Sequence, residues 1–310
     1  MGQAEDFIRS LLENNPMAKS GRLTLDQLNT LIGEHAQKLN NAPKDDFDGI
    51  SPNQMHILLH NALSSECALQ YGEHIEEYLD RIPLFKLLEL LISTIEGARS
   101  LKLTQRGNLP VKICKLLFDQ QLIRWPHMHL SRMLEEEIPF LPPLKHYLLD
   151  QALVKKRNNG LSLTKKGERR LYDEDFDRFA SFLNYFTGRF NWQNFYRIED
   201  GGKCGQLGWA YSLLMLSRYG DLPRESRFYS AKCMQAFEPE LYKQRDNKEF
   251  AEATSRYHHC FKSRFFESFA DWFGLVTIER RKNPAVSIFG ELMITKTPLF
   301  DQVFQEIRPK

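Results

Sequence analysis

LVKKRNNGLSLTKKG, residues 153–167, is the stretch that decides how this chain is read. Apolar residues alternate on both sides of Asn158-Asn159-Gly160. These three residues tolerate positive φ, so the stretch predicts a tight two-stranded hairpin. Residues 144–152 ahead of it have helical spacing, and Thr164 is placed to cap a further helix that begins at Glu168. The order is therefore helix, strand, turn, strand ending in Thr, helix. It recurs twice elsewhere. An earlier occurrence reads as a strand and turn over residues 101–107, then Pro110 and a helix over 111–118. A later one reads as a helix over 265–273, a strand over 274–280, a loop over 282–285 and a return strand over 291–295. Lys296-Thr297-Pro298 and a helix over 299–304 complete it.

Charge is concentrated at the same place. Lys155, Lys156, Arg157, Lys165, Lys166, Arg169 and Arg170 face one acid, Glu168, a local charge of +6 within a chain of net +2. The remainder is thus mildly acidic, so the field of the whole protein does not argue for nucleic acid, but this segment does. Four such cations on phosphates would give a log affinity against log salt slope of roughly −3.6. Lys145, His146 and Gln151 on the preceding helix are the candidates for reaching bases.

Outward from the hairpin the chain reads as mostly helix. Thr24 with Gln27 and Ser51 with Gln54 have capping-box spacing, the second with Pro52 at the first helical position. Residues 40–49 read as a linker, 52–63 as a helix, and 73–97 as another helix stopped by Gly97. With 310 residues, 42% of them hydrophobic, the chain is long and apolar enough for two or three units. The expected division is a helical module over 1–70, a central region over 71–175 and an aromatic-rich helical region over 176–310. The fold class expected is α+β, predominantly helical, with winged-helix-like modules and short β-hairpins. No apolar run is long enough to cross a membrane and residues 1–10 lack the pattern of a signal peptide, which points to a cytoplasmic protein. The five cysteines, Cys67, Cys114, Cys204, Cys233 and Cys260, are odd in number and scattered, and they read as structural thiols.

Leu161-Ser162-Leu163-Thr164-Lys165-Lys166-Gly167 resembles the end of the wing in bacterial winged-helix regulators, where the strand Thr caps the next helix. A wider set of phrases resembles a family of uncharacterised bacterial proteins carried by plasmids and transposons. These phrases are Gly49-Ile50-Ser51-Pro52-Asn53-Gln54-Met55-His56, Leu103-Thr104 with Gly107-Asn108-Leu109-Pro110, and Phe273-Gly274-Leu275-Val276 with Lys296-Thr297-Pro298-Leu299-Phe300. Some members carry a cysteine-rich metal-binding tail that is absent here. The resemblance implies a passenger of a mobile element and supplies no defined activity.

No catalytic, metal or cofactor site is expected. His258-His259-Cys260, with Cys233 and Cys204 upstream, has zinc-ligand types, but neighbouring histidines point to different sides of a helix and no Cys-x-x-Cys pairing exists. His127 and His129 read as a surface turn. Gly201-Gly202-Lys203-Cys204-Gly205 departs from the phosphate-loop pattern, since Cys follows the Lys. Asp173-Glu174-Asp175 and Asp177 suit the start of a helix better than a two-metal centre. The aromatics at 265, 269 and 272 have the spacing of a buried stripe rather than of a base-stacking platform. These readings give a non-enzymatic nucleic-acid-binding or regulatory protein whose partner is DNA or RNA. The alternatives are a scaffold that binds a protein partner or a second copy of itself, and a hydrolase whose site is dispersed in sequence.

Overall fold

The chain is α+β and mostly helical, and the strands among the described residues form three small sheets. A computed structural model describes residues 3–20, 22–124, 133–195, 203–237, 247–281 and 291–307. Helices α1 (Gln3–Asn14), α2 (Pro16–Lys19), α3 (Leu25–Asn41) and α4 (Pro52–His60) come first. Both capping boxes form: the hydroxyls of Thr24 and Ser51 accept the amides of Gln27 and Gln54, whose side chains accept the cap amides in return. The linker is shorter than its composition suggests, because α3 runs on to Asn41. Strand β1 (Leu69–Tyr71) and a 3-10 segment, Ile75–Arg81, lead to α5 (Pro83–Ala98). One helix over 73–97 does not form, since Pro83 holds Ile82 extended at φ −78°, ψ 109° and the chain restarts there. Gly97 lies inside the helix, which stops where Arg99 turns to φ 55°.

After α5 come β2 (Leu101–Lys102), α6 (Val111–Phe118), α7 (Leu141–Asp150), β3 (Val154–Arg157), β4 (Gly160–Leu163) and α8 (Lys165–Arg170). Helix α9 (Asp175–Gly188) follows. Then α10 (Trp209–Tyr219), β5 (Arg224–Glu225), α11 (Ser226–Phe237) and α12 (Asn247–Phe261) appear, the last continuing as a π-helix over Lys262–Ala270. Strands β6 (Val276–Arg281) and β7 (Glu291–Lys296), helix α13 (Pro298–Val303) and β8 (Phe304–Glu306) complete the described chain, β8 pairing antiparallel with β1.

The hairpin forms at residues 154–163. Asn158 and Asn159 adopt φ 49° and 57°, the two positive values that a two-residue turn of matching twist requires, and Gly160 is already in strand opposite Arg157. The segment at 101–107, however, builds no hairpin of its own. Its strand β2 pairs with β4, and Leu103 N–H donates to Asn159 O at 2.8 Å, so two of the three expected occurrences are halves of one unit.

The chain thus contains two repeats. Each runs helix, strand, helix, helix, hairpin, helix, and the sheet orders, β2-β4-β3 and β5-β7-β6, correspond strand for strand. The joints correspond too. Thr164 N–H donates to Leu153 O and Thr297 N–H to Leu275 O, both at 3.0 Å. Their hydroxyls donate to Ala152 O and Gly274 O, both at 2.7 Å, while accepting the amides of Gly167 and Phe300. The residue ending the helix before each hairpin is left-handed, Ala152 at φ 54° and Gly274 at φ 71°. Alanine strains that conformation by about 1–2 kcal/mol. Ala152→Gly is therefore expected to raise the unfolding free energy by about 1 kcal/mol in urea titrations, since the exposed methyl contributes no packing.

Helix α9 joins the repeats. Its Phe182 ring meets Tyr147 of the first at 5.0 Å and Phe273 of the second at 5.9 Å. One hydrophobic cluster runs without a break from Ile50 to Phe304. Phe265, Phe269 and Trp272 are fully buried in it, as their spacing predicts, while Trp209 is half-buried and Tyr196 lies outside the described residues. Among the described residues, no helix is long and apolar enough to cross a membrane.

Candidate nucleic-acid interface

Strand register sorts the cations of the hairpin by face. Lys156 pairs with Leu161, which pairs with Leu101, and both leucines are buried, so this row faces the core. Lys156 consequently leaves along the sheet edge, with its Nζ over Gly107. Lys155 pairs with Ser162, and Arg157 with Gly160, whose other neighbour is Lys102. Lys102, Lys155 and Arg157 therefore share the outer face, and all three are exposed. Lys102 is absent from the sequence reading because only pairing with a distant strand brings it there.

Helix α8 extends this surface. Thr164 caps it, and its first turn lies so close to the start of the hairpin that a Cβ on Gly167 would lie 2.0 Å from Leu153 O. Lys165, Lys166 and Arg169 are exposed, with Lys166 Nζ donating to Gln151 O at 2.7 Å. Arg170 is withdrawn: it pairs with Asp173 at 2.7 Å and donates to Asp177 O. Among the described residues, no carboxylate lies within ion-pair distance of Lys102, Lys155, Lys156, Arg157, Lys165, Lys166 or Arg169.

The helix before the hairpin does not match its expected role. Lys145 is buried, ion-paired with Glu135, and donates to Gly107 O at 3.3 Å, so it holds a turn in place and faces no solvent. Helix α7 buries Leu141, Leu144 and Leu148 on one side and is covered by α9 on another, where Tyr185 OH donates to Asp150 at 2.6 Å. His146 is exposed beside the Phe190 ring, 6.2 Å between centroids, and Gln151 is half-buried. The helix thus keeps only a narrow exposed strip at His146 and Asp150, and Lys145 leaves the candidate set.

A cleft of about 500 Å³ opens elsewhere, between the segment ahead of α4 and helix α10. Arg218 donates to Asp48 O at 2.7 Å and pairs with Glu306 at 2.8 Å, Tyr219 OH donates to Asp48 at 2.9 Å, and Lys232 pairs with Asp48. Burial alone would raise the Asp48 carboxyl, but the bonds from Lys232 and Tyr219 outweigh it and hold the group below its ordinary value. Every charge here is matched within the protein. The cluster clamps the amino-terminal helices to the second repeat, and only the tertiary structure reveals it.

Ser230 Oγ and His258 Nδ1 are hydrogen-bonded, and Ser226 Oγ donates to Glu291 at 2.6 Å. Ser230 is 1% exposed, so this group ties α11 to α12 and β7 and presents no hydroxyl to a substrate. His259 is exposed and points away from its neighbour. Asp173 and Asp175 of the acidic run pair with Arg170 and Arg178 around the start of α9. Among the described residues, no three His, Cys, Asp or Glu side chains are placed to hold a metal ion. His127, His129, Gly201, Gly202 and the loop at 282–285 lie outside the described residues.

The Asp271 carboxyl is pushed up to about 7, first by burial and then by nearby Glu267, with Arg124 pulling the other way. A carboxyl raised on folding binds its proton more tightly in the folded state, so it favours folding at low pH. That advantage is lost as pH rises from the unfolded value of 3.8 through about 7. Asp271→Asn is expected to abolish this decline, and urea midpoints measured from pH 4 to pH 8 would reveal it as a flatter profile.

No family model, curated protein or solved structure matches this chain.

Proposed function

We propose that this chain is a non-enzymatic nucleic-acid-binding protein of a mobile element, built from two tandem winged-helix units. Lys102, Lys155 and Arg157 on the outer face of the first sheet, with Lys165, Lys166 and Arg169 on α8, meet the phosphate backbone. The observation that carries the reading is this set of exposed cations without carboxylate partners among the described residues, on a hairpin whose neighbouring helix is mostly buried. Phosphate contact gives affinity and orientation, whereas sequence is read at base edges, to which α7 presents few side chains. Binding is therefore strongly salt-dependent and weakly sequence-selective.

A labelled duplex titrated across salt concentrations tests this. Lys155→Ala combined with Arg157→Ala removes two outer-face cations and is expected to flatten the log–log salt slope by roughly 1.8. Lys156→Ala, on the core side, is expected to change it by less. If the double variant keeps both the affinity and the slope of the parent, the phosphate reading fails. A protein partner then becomes the better account. One observation favours that second reading: Leu25, Ile32 and Leu39 recur every seven residues along α3 and are 78%, 36% and 37% exposed.

A further inference from the structure

Cys204 sits in the turn ahead of α10, and Cys260 in the last turn of α12. Three contacts hold the turn against the helix. The Cys204 thiol donates to Tyr257 O at 3.5 Å, one turn before Cys260. Arg264 Nη1, one turn after Cys260, donates to Cys204 O at 3.5 Å. A Cβ on Gly205 would lie 3.2 Å from Arg264 Cβ, so the backbone there is already in contact with the helix. Tyr257, Cys260 and Arg264 succeed one another at intervals of three and four along the rod, which places Cys204 directly over Cys260. The two thiols are neighbours, close enough for each to alter the acidity of the other.

We propose that Cys204 and Cys260 are a redox pair that closes to an intramolecular disulfide on exposure to a hydroperoxide.

The pair is chemically unequal. The neighbouring Cys204 thiol holds the Cys260 thiol below its ordinary value against the opposing effect of burial, and Arg264 adds to the lowering. The Cys204 thiol is pushed upward by its neighbour Cys260 and by burial. Cys260 is therefore the attacking thiolate and Cys204 the resolving thiol. In the first step the Cys260 thiolate attacks one peroxide oxygen, the O–O bond breaks, and hydroxide leaves, giving a sulfenic acid. In the second, the Cys204 sulfur attacks the Cys260 sulfur and displaces its oxygen as water, with the Cys204 proton consumed. Overall two thiols and one hydrogen peroxide give one disulfide and two waters. Cys260 is 1% exposed and Cys204 half-buried, an access that suits a small hydroperoxide rather than a bulky disulfide. Closure brings the two sulfurs to the disulfide length of about 2.05 Å.

Cys233 is the internal control. It is as buried as Cys260 and hydrogen-bonded to Ser212 Oγ at 3.1 Å, and burial pushes its thiol up to about 12, so it lacks the acidity to react first. Closing the bond would clip the front of α10 to the rod that carries the β6–β7 hairpin, without using any residue of the basic surface.

The test uses the full chain, treated with one equivalent of hydrogen peroxide at neutral pH, alkylated under denaturing conditions and digested with trypsin. Accessible thiols are expected to fall from five to three, with peptide 204–218 linked to peptide 257–262 within one chain and released by dithiothreitol. Cys233→Ser should give the same linked pair. Cys204→Ser should instead accumulate Cys260 as a sulfenic acid that dimedone traps. Five thiols remaining after treatment, a bond to Cys233, or linkage only between chains would each overturn the proposal. Mapping of the unsubstituted protein decides the matter even if a variant fails to fold.

Discussion

Replacing Phe186 with alanine is expected to lower the unfolding free energy by about 4 kcal/mol, a large part of the roughly 5–15 kcal/mol that holds a folded chain together. The ring is fully buried in the last turn of α9. Its centroid lies 5.2 Å from Phe273, 5.7 Å from both Trp192 and Phe195, and 6.0 Å from Phe269. These neighbours come from the segment after α9 and from the rod of the second repeat, so the cavity would open where three parts of the chain meet and no single side chain could collapse into it. Trp192, whose indole N–H donates to Phe186 O at 2.7 Å, reports the loss directly through its fluorescence in a urea titration. Tyr172→Ala, at a residue 90% exposed, should stay within about 0.5 kcal/mol of the parent and serves as the reference. A loss for Phe186→Ala below about 1 kcal/mol would mean that α9 is not a shared core.

The second large effect is expected at Lys145. Its side chain is 9% and that of Glu135 5% exposed, and the Glu135 carboxylate also accepts the Leu109 amide. Removing one member of such a pair leaves a buried charge without its counter-ion, which costs about 3–5 kcal/mol. Lys145→Ala is therefore expected to be severely destabilising. At temperatures where the variant is still folded, its duplex affinity and salt slope should match those of the parent, because the lost charge never faced the ligand. A flattened salt slope with unchanged stability would return Lys145 to the binding surface. The two measurements separate a positioning lysine from a contacting one, which residue type alone does not do.

The local signals that proved dependable were those enforced by the backbone. Asn158-Asn159 specifies a turn because few other residues accept two successive positive φ values. Thr24, Ser51, Thr164 and Thr297 each place a hydroxyl where a helix begins with unsatisfied amides. Short range was also enough for the aromatic spacing around Phe265 and Phe269. What local reading could not reach was pairing between distant segments. Residues 101–107 looked like a separate occurrence of the hairpin because a strand carries no mark of its partner. Strand β5, only two residues long, has too little pattern to register at all. The recurrence of helix, hairpin and Thr at 164 and 297 was legible, but the same limit hid that each copy also takes a third strand and two earlier helices from upstream.

Sequence by itself thus determined the hairpin, its cationic character, the helix starts and a predominantly helical α+β class, since each follows from interactions within a few residues. Tertiary structure decided which cations are available. Lys145 and Arg170 are consumed by carboxylates brought to them through folding, Lys156 stays exposed but is set on the opposite face of the hairpin by strand register, and Lys102 is recruited to the outer face from another strand. Whether a charge faces water or a counter-ion depends on what packs against it, and that is set by contacts between residues far apart along the chain.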